Sequence, residues 1–169
     1  MASFSLECPA PLTARGFRLD AETAEHLPFL RHLFIRQRWE QFAPLPWNDA
    51  EKIALLDNQF DLQHRQYLGR FPDGLFLVPS DPDGPVGRFY VAEDGADLRV
   101  VDILLVPERR GQGIGGALLA GLTETATALG RMVTLHVDKG NPAALLYQRL
   151  GFRVTADAGV SWQMDRLPG

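Results

Sequence analysis

Leu104-Leu105-Val106-Pro107-Glu108-Arg109-Arg110-Gly111-Gln112-Gly113-Ile114-Gly115-Gly116 is the stretch on which the fold turns. An apolar run of strand type leads into arginines, then into a loop rich in glycine, then into a helix. The first N–H groups of a helix have no intrahelical acceptor, and the helix dipole adds positive partial charge at the same end. A phosphate is bound well by that combination. Glycines let a bulky pyrophosphate approach the main chain. The stretch therefore predicts a cofactor that contains pyrophosphate.

Outward from this loop the hydrophobic period organises the chain. Residues 16–20 read as a short strand. Residues 26–42 carry Leu27, Leu30, Leu33 and Phe34 on one helical face. Pro44 and Pro46 stop that helix, and Asn48 or Asp49 caps a second over residues 50–70, with Ile53, Leu56, Phe60 and Tyr67 as its apolar stripe. The period then changes to two. Residues 75–78, 86–92 and 98–106 are strands, punctuated by Asp73-Gly74, Asp83-Gly84 and Asp94-Gly95 as turns of an antiparallel meander. After the glycine loop come a helix over 113–129 ended by Gly130, a strand over 132–137, a short helix over 142–150, and a hairpin from 152–156 and 160–164. The order is β-α-α-β-β-β-α-β-α-β-β, an α/β fold with helices packed on a mixed sheet.

The 169 residues suit one domain over 1–169, with residues 1–14 expected to be a loose N-terminal segment. Net charge is −4 and the pI about 5.5, which leaves no basic footprint for nucleic acid. No apolar run approaches the roughly 18 residues of a membrane span. There is no signal-peptide pattern at the start. The single cysteine, Cys8, excludes an internal disulfide framework and fits a cytoplasmic protein. The four histidines lack ligand spacing, so no metal is expected.

Two cofactors compete for the loop. Gly111-x-Gly113-x-x-Gly116 satisfies the dinucleotide fingerprint, with Asp138 about 20 residues on, and would make the chain an NAD(P)-binding oxidoreductase. Against it, Pro107-Glu108-Arg109-Arg110 separates strand from glycine, and the 31 residues after Asp138 do not supply a further βαβ unit. The alternative is Arg110-Gly111-Gln112-Gly113-Ile114-Gly115, an R-x-x-G-x-G loop. It resembles the acetyl-CoA loop of the GCN5-related N-acetyltransferase (GNAT) family. Asn141-Pro142-Ala143-Ala144 and Leu146-Tyr147-Gln148-Arg149-Leu150-Gly151-Phe152 resemble that family's second cofactor motif, in the same order and about 30 residues on. The resemblance covers residues 86–164.

The resemblance implies a mostly antiparallel sheet flanked by about four helices, and acetyl transfer from acetyl-CoA to a primary amine by direct attack in a ternary complex. It implies that Arg110, Gly111, Gln112, Gly113, Ile114, Gly115 and Gly116 surround the pyrophosphate. Arg110 is equally readable as a solvated arginine. Leu104 and Val106 would pair their backbones with the pantetheine amides, as a strand added to an edge. Asn141 would contact the cofactor, or cap the helix that begins at Pro142. Tyr147 would be the general acid, since a phenol of pKa about 10 can protonate a thiolate whose conjugate acid lies near 8.5. A homodimer is compatible with the family.

An amine of pKa about 10.4 is only roughly one part in two thousand neutral at pH 7, so a base is needed. Asp102, inside the apolar run Val100-Val101-Asp102-Ile103-Leu104, is either that base or a partner of Arg99 or Arg88. Alternation sets it on one face with Leu104 and Val106. Glu93, His136 and a water relay are weaker candidates. His64 reads as a satisfied core histidine. Gln63, Tyr67 and Trp162 are the acceptor-site candidates, from the helices and hairpin that frame that pocket in the family. The acceptor itself, a small molecule or a protein amine, is open. A non-catalytic acyl-CoA-binding sensor on the same fold is the other alternative, and Asn141 and Tyr147 weigh against it.

Overall fold

The computed structural model describes residues 2–169. Its helices are α1 (Ala10–Thr13), α2 (Leu27–Arg38), α3 (Asp49–Arg70), α4 (Ile114–Ala128) and α5 (Ala143–Arg149). Its strands are β1 (Arg18–Ala21), β2 (Leu75–Asp81), β3 (Gly84–Pro85), β4 (Gly87–Asp94), β5 (Asp97–Leu105), β6 (Val133–Asp138), β7 (Arg153–Asp157) and β8 (Ser161–Arg166). The expected order holds. It gains the one-turn helix α1 and the two-residue strand β3, which the sequence does not announce.

The sheet runs β1-β2-β4-β5-β6-β8-β7, with β3 paired to β2. Among the described residues the β5–β6 pair is the parallel one. Its pairing stops after Leu98–Val133 and Arg99–Thr134. β6 continues to Asp138 on its partner β8, while β5 turns away with β4. The two strands therefore splay from that apex like the arms of a V. This topology rules out the dinucleotide fold suggested by Gly111-x-Gly113-x-x-Gly116, because that fold adds further parallel strands after the first βαβ unit, whereas β7 and β8 are antiparallel.

Helices cover both faces. On one, Ile114, Leu118, Leu119, Leu122 and Ala126 of α4 pack with Phe89, Val91, Leu98, Val100, Val133 and Leu135 of the sheet. On the other, Leu30 and Phe34 of α2 and Leu56 and Phe60 of α3 enclose Val78. α3 is closed at its start by a reciprocal capping box between Asn48 and Glu51, which satisfies two otherwise orphan donors. Ile53, expected in the α3 stripe, is instead exposed.

Of the segment 1–14 expected to be loose, Met1 lies outside the described residues, and the rest carries side chains packed into the core. Phe4 and Leu12 are 9% and 1% exposed and belong to the α4 core, and α1 packs against α4. Their apolar side chains had no visible period in the sequence, so the docking was not legible. No helix among the described residues is long and apolar enough to cross a membrane.

Candidate active site

The glycine loop has the geometry the sequence predicts. After Pro107–Arg109 forms a 3-10 turn, Gly111 and Gly113 adopt φ of 71° and 79°. That left-handed region carries a Cβ penalty for any other residue. Gly113 is the N-cap of α4, and no side chain caps it. The first bond across the helix start runs from Ala117 N–H to Gly113 C=O at 3.0 Å, so the N–H groups of Ile114, Gly115 and Gly116 precede the ladder. A Cβ built on Gly111 or Gly113 meets no protein atom within 4 Å. The space in front of the loop is open.

Charged contacts hold the loop in place. Glu108 takes a fork of bonds from Arg36 of α2 at 2.7 and 3.3 Å. Arg109 pairs with Asp81 of β2 at 2.8 Å. Arg15 donates to Gln112 O at 2.8 Å, and the Gln112 amide donates to Glu108 O at 3.1 Å. Arg110 donates through Nε to Leu105 O at 3.2 Å, which leaves its terminal nitrogens directed at no carboxylate among the described residues. Of the two adjacent arginines, Arg110 is therefore the one free to meet a phosphate. Arg15 was not singled out in the sequence, because 97 residues separate it from its partner.

The free edge of β5 belongs to different residues from those expected. Val106 N–H already donates to Val86 O at 2.8 Å, and Val106 C=O accepts from Arg109 N–H at 3.0 Å. In an antiparallel pair the peptide groups of alternate residues face the same neighbour. Val106 and Leu104 thus turn theirs toward β4. Ile103 and Leu105 turn theirs into the splay beside β6. Leu104 and Val106, expected at the open edge, therefore face β4, and the open edge of β5 belongs to Ile103 and Leu105. At this edge β4 and β5 approach closely at Gly87, where a Cβ would fall 2.2 Å from Leu104 O.

Asp102 is placed by a bulge. Tyr90 pairs with Asp102 and Val91 with Val100, so Val101 is an extra residue on β5. Leu98 and Val100 then share the α4 core with Ile103 and Leu105. Strict alternation would have aimed Asp102 at that apolar core beside Val100. The bulge moves it to the α3 side, together with its cross-strand neighbour Tyr90. Val106 packs on the α4 core instead, so it does not share a face with Asp102 as expected.

There Asp102 forms an ion pair with Arg88, whose side chain is 2% exposed against 21% for Asp102. Arg88 also donates to Gln63 Oε1 at 2.9 Å. Of the two partners expected for Asp102, Arg88 is the one found. Arg99 pairs with Asp94 at 2.7 Å. Burial, reinforced by the Asp102 charge, pushes the Tyr67 phenol up to about 12. Tyr67 therefore meets Asp102, and Gln63 joins the cluster through Arg88. Half-burial lowers the pKa of Arg38, and the charge of Arg88 adds to the effect. Behind this cluster, Tyr90 donates to Glu22, and Glu22 meets His64 Nε2 at 2.9 Å. His64 is a satisfied histidine stacked on Phe60. Glu93 is engaged far from the splay by Arg131 at 2.6 Å and by Ser3.

Tyr147 is carried by α5. It is 7% exposed, packed in the α4 core and edge-on to Phe152 at 6.0 Å. Burial pushes its phenol up to about 12, and Asp102 is the charged group that adds to this. Asn141 accepts the Ala143 N–H at 2.9 Å, one residue before Pro142, which takes the N-cap position expected for Asn141.

Trp162 is not brought into the cluster. It pairs with Val137, packs on the α4 core and carries Lys139 Nζ 4.2 Å above its ring. Its neighbours in β8, Gln163 and Asp165, take the opposite face. A one-residue shift reverses a strand side chain's face, and that parity was not readable from so short a hairpin.

At the apex of the V, a cavity of about 470 Å³ opens between the end of α3, the Arg99–Val101 segment and His136. The site thus has an uncapped helix N-terminus, a free strand edge and a cavity beside the bulge residue Val101.

A profile of the acetyltransferase (GNAT) domain matches residues 72–154, and the nourseothricin acetyltransferase structure is 30% identical, covering 58% of this chain and 67% of that one with a TM-score of 0.50. The chain belongs to the GNAT acetyltransferase family. The mycothiol acetyltransferase of Clavibacter michiganensis subsp. michiganensis is 35% identical over 109 residues, 63% of this chain and 35% of that protein. This GNAT chain spans about a third of the length of the curated relatives it matches first. The PaiA N-acetyltransferase of Thermoplasma acidophilum, in complex with coenzyme A, shares the fold at a TM-score of 0.65 and 17% identity, over 89% of this chain and 98% of that one.

Proposed function

We propose that this GNAT chain is an acetyl-CoA-dependent N-acetyltransferase that acts on a primary amine by direct attack. One observation carries the proposal. The free edge of β5 at Ile103 and Leu105 lies between Asp102, whose charge reaches the Tyr147 phenol, and the glycine loop that opens α4 without a side-chain cap. The coenzyme A complex of the PaiA relative, on the same fold, supports it.

When bound, acetyl-CoA supplies an acetyl thioester. The N–H groups from Gln112 to Gly116 and the Arg110 guanidinium hold the pyrophosphate, with Asn141 alongside. Ile103 and Leu105 take the pantetheine amides as a strand would be taken at a sheet edge. A free N–H in the same splay would stabilise the negative charge that develops on a thioester oxygen. Asp102, with Arg88 fixing its orientation, would receive one proton of the incoming ammonium; as the N–C bond forms and the C–S bond breaks, the second proton leaves the nitrogen to water. Tyr147 gives its phenolic proton to the departing thiolate sulfur. With its pKa pushed up to about 12, Tyr147 is protonated throughout the neutral range and recovers its proton from solvent. Cys8 is no rival nucleophile. Burial raises its thiol pKa, and Sγ lies 3.7 Å from Phe17 O, away from the splay.

Tyr147→Phe is the test. Loss of a general acid lowers kcat by about 10²–10⁴-fold, while acetyl-CoA affinity by isothermal titration stays close to that of the unaltered chain. An equal kcat removes Tyr147 from the chemistry. The pH profile provides a second check. A donor acts only below its own pKa, so the Tyr147 contribution persists as pH rises and is lost only near 12. An alkaline limb between 8 and 9 would assign the acid elsewhere. Titration with acetyl-CoA alone tests the cofactor, and absence of binding would sink the whole proposal.

A further inference from the structure

The cavity at the apex of the V differs in character from the chain that carries it. The protein has a net charge of −4, yet the polar lining comes from Gln66, Tyr67, Arg70, Arg99 and His136, with no carboxylate among the lining residues. Arg70 lies over the Phe71 ring at 5.0 Å and makes no ion pair among the described residues. Arg99 is anchored through Nε to Asp94, and its Nη1 faces His136 Nδ1 at 3.1 Å. That contact requires a neutral imidazole accepting at Nδ1 and donating at Nε2. Burial and the charge of Arg99 lower the His136 pKa, and Arg70 adds to the effect against Asp165. Two guanidinium groups and an imidazole thus converge on one opening.

Gly69 lines the same opening from the last turn of α3. A Cβ there meets nothing within 4 Å, and its φ is not positive, so neither packing nor backbone conformation calls for glycine. Glycine weakens a helix interior. What it leaves here is bare backbone at the cavity wall, where an occupant can lie close.

The cavity adjoins Val101, the bulge residue next to Asp102. An occupant with its amine at Asp102 would direct its remaining groups toward Arg70, Arg99 and His136. Resting on the function proposed above, we infer that the acceptor is an amine that also carries an anionic group, a carboxylate or a phosphate, and that Arg70 and Arg99 bind that group. Polyamines and other purely cationic amines are disfavoured by the same charges.

The test compares matched amines on the full chain with acetyl-CoA: an amino carboxylate, its amide, and the amino phosphonate of the same length. The expected result is a kcat/KM at least about tenfold higher for an anionic member than for the amide, as a charge-assisted bond gives. The two anionic arms tell carboxylate from phosphate recognition. In Arg70→Glu that ratio falls below one, and Arg70→Gln narrows it. Equal or better turnover of the amides, or of a diamine, overturns the inference and leaves the acetyltransferase function standing. Inorganic phosphate titrated against the His136 ring proton resonances gives an answer that needs no turnover. A saturable shift lost in Arg70→Glu supports the anion site, and no shift overturns it. Failure of acetyl-CoA to bind strikes the proposed function alone, since the phosphate titration uses no cofactor.

Discussion

Along β5 the molecule presents two unlike surfaces. Toward β6 and the start of α4 it offers peptide groups: Ile103 and Leu105 at the open edge, and the loop N–H groups opened by Gly111 and Gly113. Toward α3 it offers side chains: Asp102 on Arg88, Tyr67, and beyond the bulge Arg99 with Arg70 and His136. A backbone surface fits a ligand made of amides and phosphates, and almost any side chain can stand behind it. A side-chain surface has to be specified residue by residue, with every buried charge partnered. The common cofactor and the particular acceptor of an acetyltransferase are matched by that division of material.

Three variants put pressure on this contrast. The largest effect is expected of Gly113→Val. The substitution strains a φ of 79° with a β-branched side chain and fills the open space before α4. Acetyl-CoA affinity should fall by more than about 100-fold, equivalent to about 2.7 kcal/mol, in a chain that remains folded by circular dichroism. Unimpaired binding would mean that the backbone surface is not the cofactor's. Second is Arg88→Met, which leaves Asp102 facing an apolar neighbour. Breaking a buried pair costs about 3–5 kcal/mol, and the partial exposure of Asp102 points to the lower end of that range. Urea denaturation measures it, and an unchanged midpoint would show the pair to be dispensable. Smallest is Gly69→Ala. It should stabilise α3 by about 0.5–1 kcal/mol, a Tm increase of a few degrees, while raising KM for the amine and not for acetyl-CoA. A higher Tm with the same KM for the amine would detach Gly69 from the acceptor side.

The backbone half was the more legible in the sequence. Gly111-Gln112-Gly113 announces a loop with positive φ because only glycine adopts it at little cost, and Asn141 before Pro142 announces a helix start. The side-chain half was legible only in part. Gln63 and Tyr67 do meet the Asp102 cluster, whereas Trp162 lies on the other face of the sheet. Arg70 and Arg99 carry no sequence sign of a shared pocket, and only the folding of α3 against β5 collects them around one cavity. Phe4 and Leu12 lie in a segment without hydrophobic period, so their burial against α4 has no local sequence signal.

Local physics was enough to determine the element order and the pyrophosphate-type loop, because hydrophobic period, capping residues and glycine act over a few neighbouring residues. The register of β5 was decided only in three dimensions. Nothing in Val100-Val101-Asp102 states that Val101 is the extra residue, since the bulge arises from fitting β5 to β4 on one side while both α4 and α3 claim a face. That single residue assigns Ile103 and Leu105, rather than Leu104 and Val106, to the open edge, and turns Asp102 away from the apolar core toward Arg88.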